Sequence, residues 1–208
     1  MDNTAENILK FWFSTTDVSS DIKKSAEWFK ATEGFDKEIS RQFLTVRSDA
    51  VDGKLDHLIA NPAECLALII VLDQFSRNLF RNSPHAFEAD LRAREVSRIA
   101  IERGYCQSYS NWPKIFCYLP FEHSESLGDH EFIAPHFEAL EGSEFENSKI
   151  TAREHMETIR KFGRYPHRNR ALGRKNSQEE EQYLKNGPLW GKTKAEAEAI
   201  IRLRKMKK

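Results

Sequence analysis

The sequence has no excess of either charge and no long apolar run. It contains 32 basic and 32 acidic residues, so its formal net charge is zero, whereas nucleic-acid-binding proteins usually carry a clear basic excess. We therefore expect no nucleic-acid partner. The longest apolar run, Cys65 to Leu72, has eight residues, far fewer than the roughly 20 that cross a bilayer. We expect no membrane partner either.

Cysteine is also scarce. The three cysteines, Cys65, Cys106 and Cys117, are odd in number, and no two form a Cys-x-x-Cys pair. This argues against the disulfide framework of a small secreted domain and predicts reduced thiols. The N-terminus has neither the basic segment nor the apolar stretch of a signal peptide. The sequence therefore predicts a cytoplasmic protein.

Common catalytic and cofactor motifs are missing as well. There is no G-x-S-x-G, no Walker loop and no G-x-G-x-x-G. His85 is the only histidine with an acid three residues away, Glu88, and no histidine has one at four residues. A dinuclear site in a helical bundle would need repeated Glu-x-x-His pairs. We predict neither a metal nor a cofactor.

Helix signals account for most of the chain. Asn61, Pro62 and Glu64 suit the N-cap, N1 and N3 positions of a helix start, with Glu64 reaching back as in a capping box. The helix that follows is apolar on every side through Leu72, which predicts that it lies at the centre of the fold. Ser177 and Glu180 have the spacing of a second capping box.

Other apolar patterns predict a short helix over Ile22 to Phe29 and a helix that runs from Ser83-Pro84 to Gly104. No segment shows the alternation of a β-strand. We predict one all-α domain, an array of eight to ten antiparallel helices, over residues 1–187. Residues 188–208 form a basic helical extension, with seven basic and two acidic residues from Lys192 onward.

Three motifs carry the polar chemistry. The first, Asp73 to Arg81, continues the apolar helix, and charges there need partners or a solvated pocket. Either Arg77 and Arg81 face a cavity and bind an anion, or the motif is an internal network that locks helices together.

The second motif is Tyr118 to Glu125. Pro120 removes one backbone hydrogen bond just before Glu122 and His123, and histidine can serve as acid, base or anion ligand near neutral pH. The alternative is a kinked packing helix with exposed acids.

The third motif begins at His155, which shares the apolar face of its helix with Ile159. It continues through residues 162–169, which include His167, Arg168 and Asn169. Between Arg164 and Lys175 there are five basic residues and no acid, which suits a carboxylate or phosphate ligand. The alternative is a charged surface turn paired with acids elsewhere.

In this order, and together with Trp12-Phe13 and Trp28-Phe29, the motifs resemble the bacterial domain-of-unknown-function family number 924, over about residues 5–187. The family is placed among tetratricopeptide-like helical folds, and its pattern includes a histidine that His155 matches. The resemblance implies an all-helical, repeat-like fold with a concave face. It implies no reaction.

We predict that the motifs meet in one polar pocket that binds a small anionic ligand or a peptide carboxylate. Its predicted residues are Arg77, Asn78, Arg81, His123, His155, His167, Arg168 and Asn169. A second hypothesis is a hydrolase of a small ester or phosphate, with His123 or His155 as acid or base and Glu122 or Glu125 orienting it. A third is a scaffold whose polar motifs only lock helices. The sequence leaves the oligomeric state open.

Overall fold

The computed structural model describes residues 1–29, 32–190, 192 and 194–206, and all regular structure in these ranges is helical. The α-helices are α1 Asn3–Phe13, α2 Glu33–Val51, α3 Pro62–Ile70, α4 Ser76–Leu79, α5 Asp90–Glu102, α6 Asn111–Glu122, α7 Leu127–Glu138, α8 Glu146–Phe162, α9 Gln178–Asn186 and α10 Lys194–Met206. Short 3-10 turns include Pro84–Ala86 and Pro166–Arg168. The predicted single all-helical domain is confirmed. A tetratricopeptide-like arrangement stays a prediction.

The central element is a continuous helix made of α3, a π-helical turn at Val71–Phe75 and α4. Every side chain from Cys65 to Leu72 is fully buried, because α1, α5 and α6 all pack against α3. A helix without a polar face must be covered all round, so its predicted central place is confirmed. Among the described helices, none is long and apolar enough to cross a bilayer.

The start of α3 differs from the predicted capping box. Asn61 caps no backbone N–H; its side-chain amide donates to Glu64 Oε2 at 3.2 Å. Glu64 Oε1 instead accepts the backbone N–H of Asp2 at 2.8 Å. Asp2 in turn caps α1, so this carboxylate ties the start of the first helix to the central one. The capping box of Ser177 and Glu180 is present as predicted.

Two predicted helices are absent or shorter. The segment from Ile22 to Phe29 has no helix. Packing of Trp28 holds it in place instead: this side chain is buried and stacks on Trp12. Its indole N–H also donates to the Trp12 carbonyl at 2.9 Å. Ser83-Pro84 begins only a 3-10 turn, and α5 starts at Asp90. One cause is that Arg47 of α2 donates to the His85 carbonyl at 3.1 Å, the oxygen that a continuing helix would use internally.

Candidate functional site

A cavity of about 440 Å³ lies where the three polar motifs meet. Eight of the predicted side chains line it: Arg77, Asn78, Arg81, Glu122, His123, His155, His167 and Arg168. Arg77 and Asn78 lie on α4 and Arg81 just beyond it, whereas Glu122 is the last residue of α6 and His123 the next one. His155 lies on α8, and the other two lie in the 3-10 turn at Pro166–Arg168. Their binding role stays a prediction; their positions around one cavity are the geometry on which it depends.

Asp73 is the polar centre beneath this cavity. It sits in the π-helical turn, is 1% exposed and accepts from Nδ1 of His123 at 2.8 Å. Nη1 of Arg77 lies 3.0 Å from the same carboxylate oxygen. Burial alone would raise the pKa of Asp73, but the charges of Arg77 and His123 and the hydrogen bonds hold it well below its usual value. Asp73 is therefore a buried carboxylate anion.

Asp90 at the start of α5 joins two of the predicted arginines. Its carboxylate lies 2.9 Å from Nη1 of Arg77 and 3.4 Å from Nη1 of Arg168. Arg168 also donates to the His123 carbonyl at 2.8 Å, and its guanidinium lies over the rings of Phe87 and Tyr165. The network locks α4, α5 and the 166–168 turn around the cavity, as the helix-locking alternative expects of such charges.

Arg81 is paired differently. Its guanidinium makes a two-pronged contact with Asp36 of α2 through Nε and Nη2, and Asn78 donates to the same carboxylate at 2.7 Å. Nη1 of Arg81 makes no hydrogen bond with a described residue. Arg81 therefore keeps a donor on the cavity wall while its charge is balanced.

His123 is oriented by Asp73. Because a carboxylate only accepts, Nδ1 carries the proton, and Nε2 is left as an acceptor without a partner among the described residues. Burial and the neighbouring charge of Arg77 lower the pKa of His123, although Asp73 opposes this. Its ring is 17% exposed and lines the cavity. The arrangement is that of an imidazole base with a carboxylate behind it.

Glu122, the preceding residue, has the opposite perturbation. Its side chain is buried on the cavity wall, and Oε1 lies 3.4 Å from Nδ1 of His155. That nitrogen also donates to the Thr151 carbonyl at 2.9 Å. Burial, with the charge of Asp73, raises the pKa of Glu122 to about 8. At neutral pH a carboxylic acid therefore stands beside a neutral imidazole, a pairing of opposite shifts that marks acid and base roles in enzymes.

The other two predicted histidines lie among aromatic rings. His155 is buried, and burial keeps its pKa well below the usual value. Burial and the charge of Arg168 lower the pKa of His167 to about 3. Trp190 stacks on His155 with ring centroids 3.7 Å apart and meets His167 edge-on at 5.9 Å. Both histidines are neutral at physiological pH.

Two predicted residues lie away from the cavity. Asn169 is 1% exposed and donates from Nδ2 to the Asn176 side chain at 2.8 Å, so it supports the loop. Glu125, one of the acids proposed to orient a histidine, instead accepts from Arg174 at 2.7 Å and from the Tyr165 backbone at 2.8 Å. It holds the basic loop against the end of α6 and does not orient His123.

Sequence reasoning missed several residues that shape the cavity. The sequence indicates that a charge at Asp73 needs a partner, but nothing in it identifies His123 as that partner. The wall also contains Lys24, Trp28, Phe29, Phe87, Leu189, Trp190 and Lys192. Among these residues, only Trp28 and Phe29 belong to a sequence segment that carries the family resemblance. Within the described residues, no three His, Cys, Asp or Glu side chains cluster as a metal would require.

The fold and this cavity define an all-helical protein with a polar cavity where its three sequence motifs meet. The chain belongs to the DUF924 family of bacterial proteins of unknown function, whose model matches residues 8–188. It is similar to a solved protein of unknown function from Agrobacterium tumefaciens, with 33% identity and a TM-score of 0.78, over 88% of this chain and 97% of that one. Comparison with curated proteins gives no match.

Proposed function

We propose that the cavity binds a small organic anion, a carboxylate in the first instance. The observation that carries this proposal is the balance of charge around the wall. Arg77, Arg81 and Arg168 are offset by Asp36, Asp73 and Asp90. Lys24 and Lys192 also line the cavity, and neither has an acidic partner among the described residues.

The state of Glu122 adds to this balance. Its raised pKa of about 8 keeps it uncharged at neutral pH, so it does not cancel either lysine. In a partly enclosed cavity, two cations without partners favour a ligand that brings negative charge. Nη1 of Arg81 supplies a further donor suited to a carboxylate oxygen.

The test is calorimetric titration at pH 7 with paired probes, 2-naphthoate against its uncharged amide and hexanoate against hexanamide. We expect the acids to bind more tightly than the amides. The double variant Lys24→Met/Lys192→Met should lose that preference, while the control Lys161→Met, whose lysine pairs with Glu179 on the surface, should keep it. Binding of acids and amides with equal affinity, or of neither, would contradict the proposal.

A second candidate is a hydrolase, favoured by the contact between His123 and Asp73. In that reaction His123 Nε2 would take a proton from water as the water oxygen attacks an ester carbonyl, and protonated Glu122 would give its proton to the departing alkoxide. The products would be an acid and an alcohol. Its test is turnover of p-nitrophenyl esters and phosphates. Equal rates for the wild type and His123→Ala would rule it out.

A further inference from the structure

Part of the cavity wall comes from outside the region that defines the family. The family model ends at residue 188, yet Leu189, Trp190 and Lys192 line the cavity. This segment therefore adds side chains of its own to a site whose polar groups come from the family motifs. It can change what the site accepts without changing the motifs.

The position of Trp190 is set by ring contacts. Its indole stacks nearly parallel on His155, at 3.7 Å and 20°, and stands edge-on to Tyr165 at 6.1 Å. His155 is itself fixed by its bond to the Thr151 carbonyl. A side chain held on two sides by rings presents a fixed aromatic surface.

The chain on the N-terminal side of Trp190 is anchored as well. Arg204 of α10 donates to the Lys185 carbonyl at 2.9 Å and to the Gly187 carbonyl at 3.0 Å. The Gly187 N–H donates to the Tyr183 carbonyl. The backbone approaches so closely here that a Cβ at position 187 would lie 2.7 Å from the Tyr183 carbonyl oxygen. The end of α9 is therefore fixed where the chain turns toward the cavity.

Two segments each bring an aromatic ring and a lysine to the cavity wall. In the first, Lys24 Nζ lies 5.5 Å from the ring centre of Phe29, and both residues line the cavity. In the second, Trp190 is followed two residues later by Lys192, and both line the cavity. A planar ring suits the aromatic surfaces, and a carboxylate attached to that ring suits the lysines.

Resting on the proposed function, we propose that Trp190 forms the aromatic wall of a subsite that selects planar aromatic carboxylates over saturated ones. The segment after the family-matched region then sets the ligand class, while the family motifs supply the polar surroundings. Residue 190 is a specificity-determining position.

The test compares two acids of nearly equal size and equal charge, 2-naphthoate and decahydro-2-naphthoate, by calorimetric titration at pH 7. We expect the wild type to bind the aromatic acid about two- to tenfold more tightly, the range of an aromatic pair beyond its buried area. Trp190→Leu should abolish this ratio and leave the affinity for the saturated acid within about twofold. Trp190→Phe should keep most of the ratio.

The outcomes separate the two proposals. A wild type that binds both acids equally, or a Trp190→Leu variant that keeps the full ratio, would overturn the aromatic subsite while anion binding stands. If neither acid binds the wild type, both proposals fall. A urea melt of each variant shows that the fold is intact, so a lost ratio reports the wall and not unfolding.

Discussion

Replacing Glu122 with glutamine should make the protein more stable at alkaline pH, although it alters a side chain on the wall of the cavity. Glu122 is 4% exposed, and burial with the nearby charge of Asp73 raises its pKa from 4.5 to about 8. Between these two pH values the folded protein keeps a proton that the unfolded chain has released. Stability therefore falls as the pH rises through this window.

The magnitude follows from the same shift. Each tenfold change in a protonation equilibrium corresponds to about 1.4 kcal/mol, so the raised pKa of Glu122 lowers the free energy of unfolding by roughly 4–5 kcal/mol above pH 8 relative to pH 4. Glutamine keeps the size and polarity of the protonated acid but has no proton to lose. We expect Glu122→Gln to match the wild type within about 1 kcal/mol near pH 5 and to exceed it by about 3–5 kcal/mol near pH 8.5.

Urea melts at half-unit intervals from pH 5 to pH 8.5 measure this difference. The histidines whose pKa values are lowered in the fold also make stability depend on pH, raising it as the pH rises toward 6.5. They are present in both proteins, so to first order they cancel in the comparison. Parallel curves for the wild type and Glu122→Gln would refute a buried, protonated Glu122.

Glu125 provides the matched control on the same segment. The hydrogen bonds and charge of Arg174 and the Tyr165 N–H lower the pKa of Glu125, although burial opposes them. Its contribution is therefore present above the usual pKa of glutamate and is lost as the pH falls through the lowered value. Glu125→Gln should be less stable than the wild type at pH 7, with the gap closing in acid, the reverse of the Glu122 result.

Three further perturbations test the fold around the site. Asp73→Asn removes the negative charge that Arg77 and His123 contact. In urea melts it should lower the free energy of unfolding by about 3 kcal/mol, the low end for a broken buried pair, because Arg77 keeps its contact with Asp90. An unchanged urea midpoint would show that the network does not stabilise the fold. Ser177→Ala removes the capping box of α9 and should cost about 1 kcal/mol, with the loss read from a thermal melt; full retention of Tm would disprove the cap. Gly163 follows the last residue of α8 with φ +65°, and a Cβ added there would meet no neighbouring atom. Gly163→Ala should therefore lower the free energy of unfolding only by the backbone strain, about 1 kcal/mol. A loss several times larger would point to a contact that the structure lacks.

Local sequence patterns predict the main helices of this protein because helix formation and burial depend on residues that are close in sequence. The apolar run before Asp73 indicates a buried helix, since no polar face remains to meet water. The polar residues that follow must then be paired or face a cavity, and Arg77 and Arg81 do both: they line the cavity and pair with Asp73 and Asp36. The irregular segment around Trp28 escaped prediction because its order comes from packing against Trp12 and not from helical periodicity.

The partners of the site residues could not be read in the same way. Asp36 lies 45 residues from Arg81, and Asp90 lies 13 and 78 residues from its two arginines. Neither acid carries a local signal. The π-helical turn that contains Asp73 has no sequence pattern of its own, although such turns are frequent at functional sites. The third motif predicts Asn169 as a donor in the pocket, whereas its side-chain amide donates to Asn176 within the loop.

The polar groups around the cavity differ in how they affect stability, and this difference distinguishes a scaffold that locks helices from a ligand-binding site. The contacts of Asp90 and Asp36 with the arginines would serve a scaffold, since each links the central helix to another helix. Asp73 would do the same through His123 at the end of α6, because Arg77 lies on its own helix. Glu122 and His155 do not fit that role: their burial opposes their charged forms, and apolar residues of similar volume would pack there at no such cost. Groups with strongly perturbed pKa values that cluster on a cavity are candidates for function. The scaffold hypothesis accounts for the arginines, whereas the protonated acid beside neutral imidazoles is the feature that favours the proposed ligand site over it.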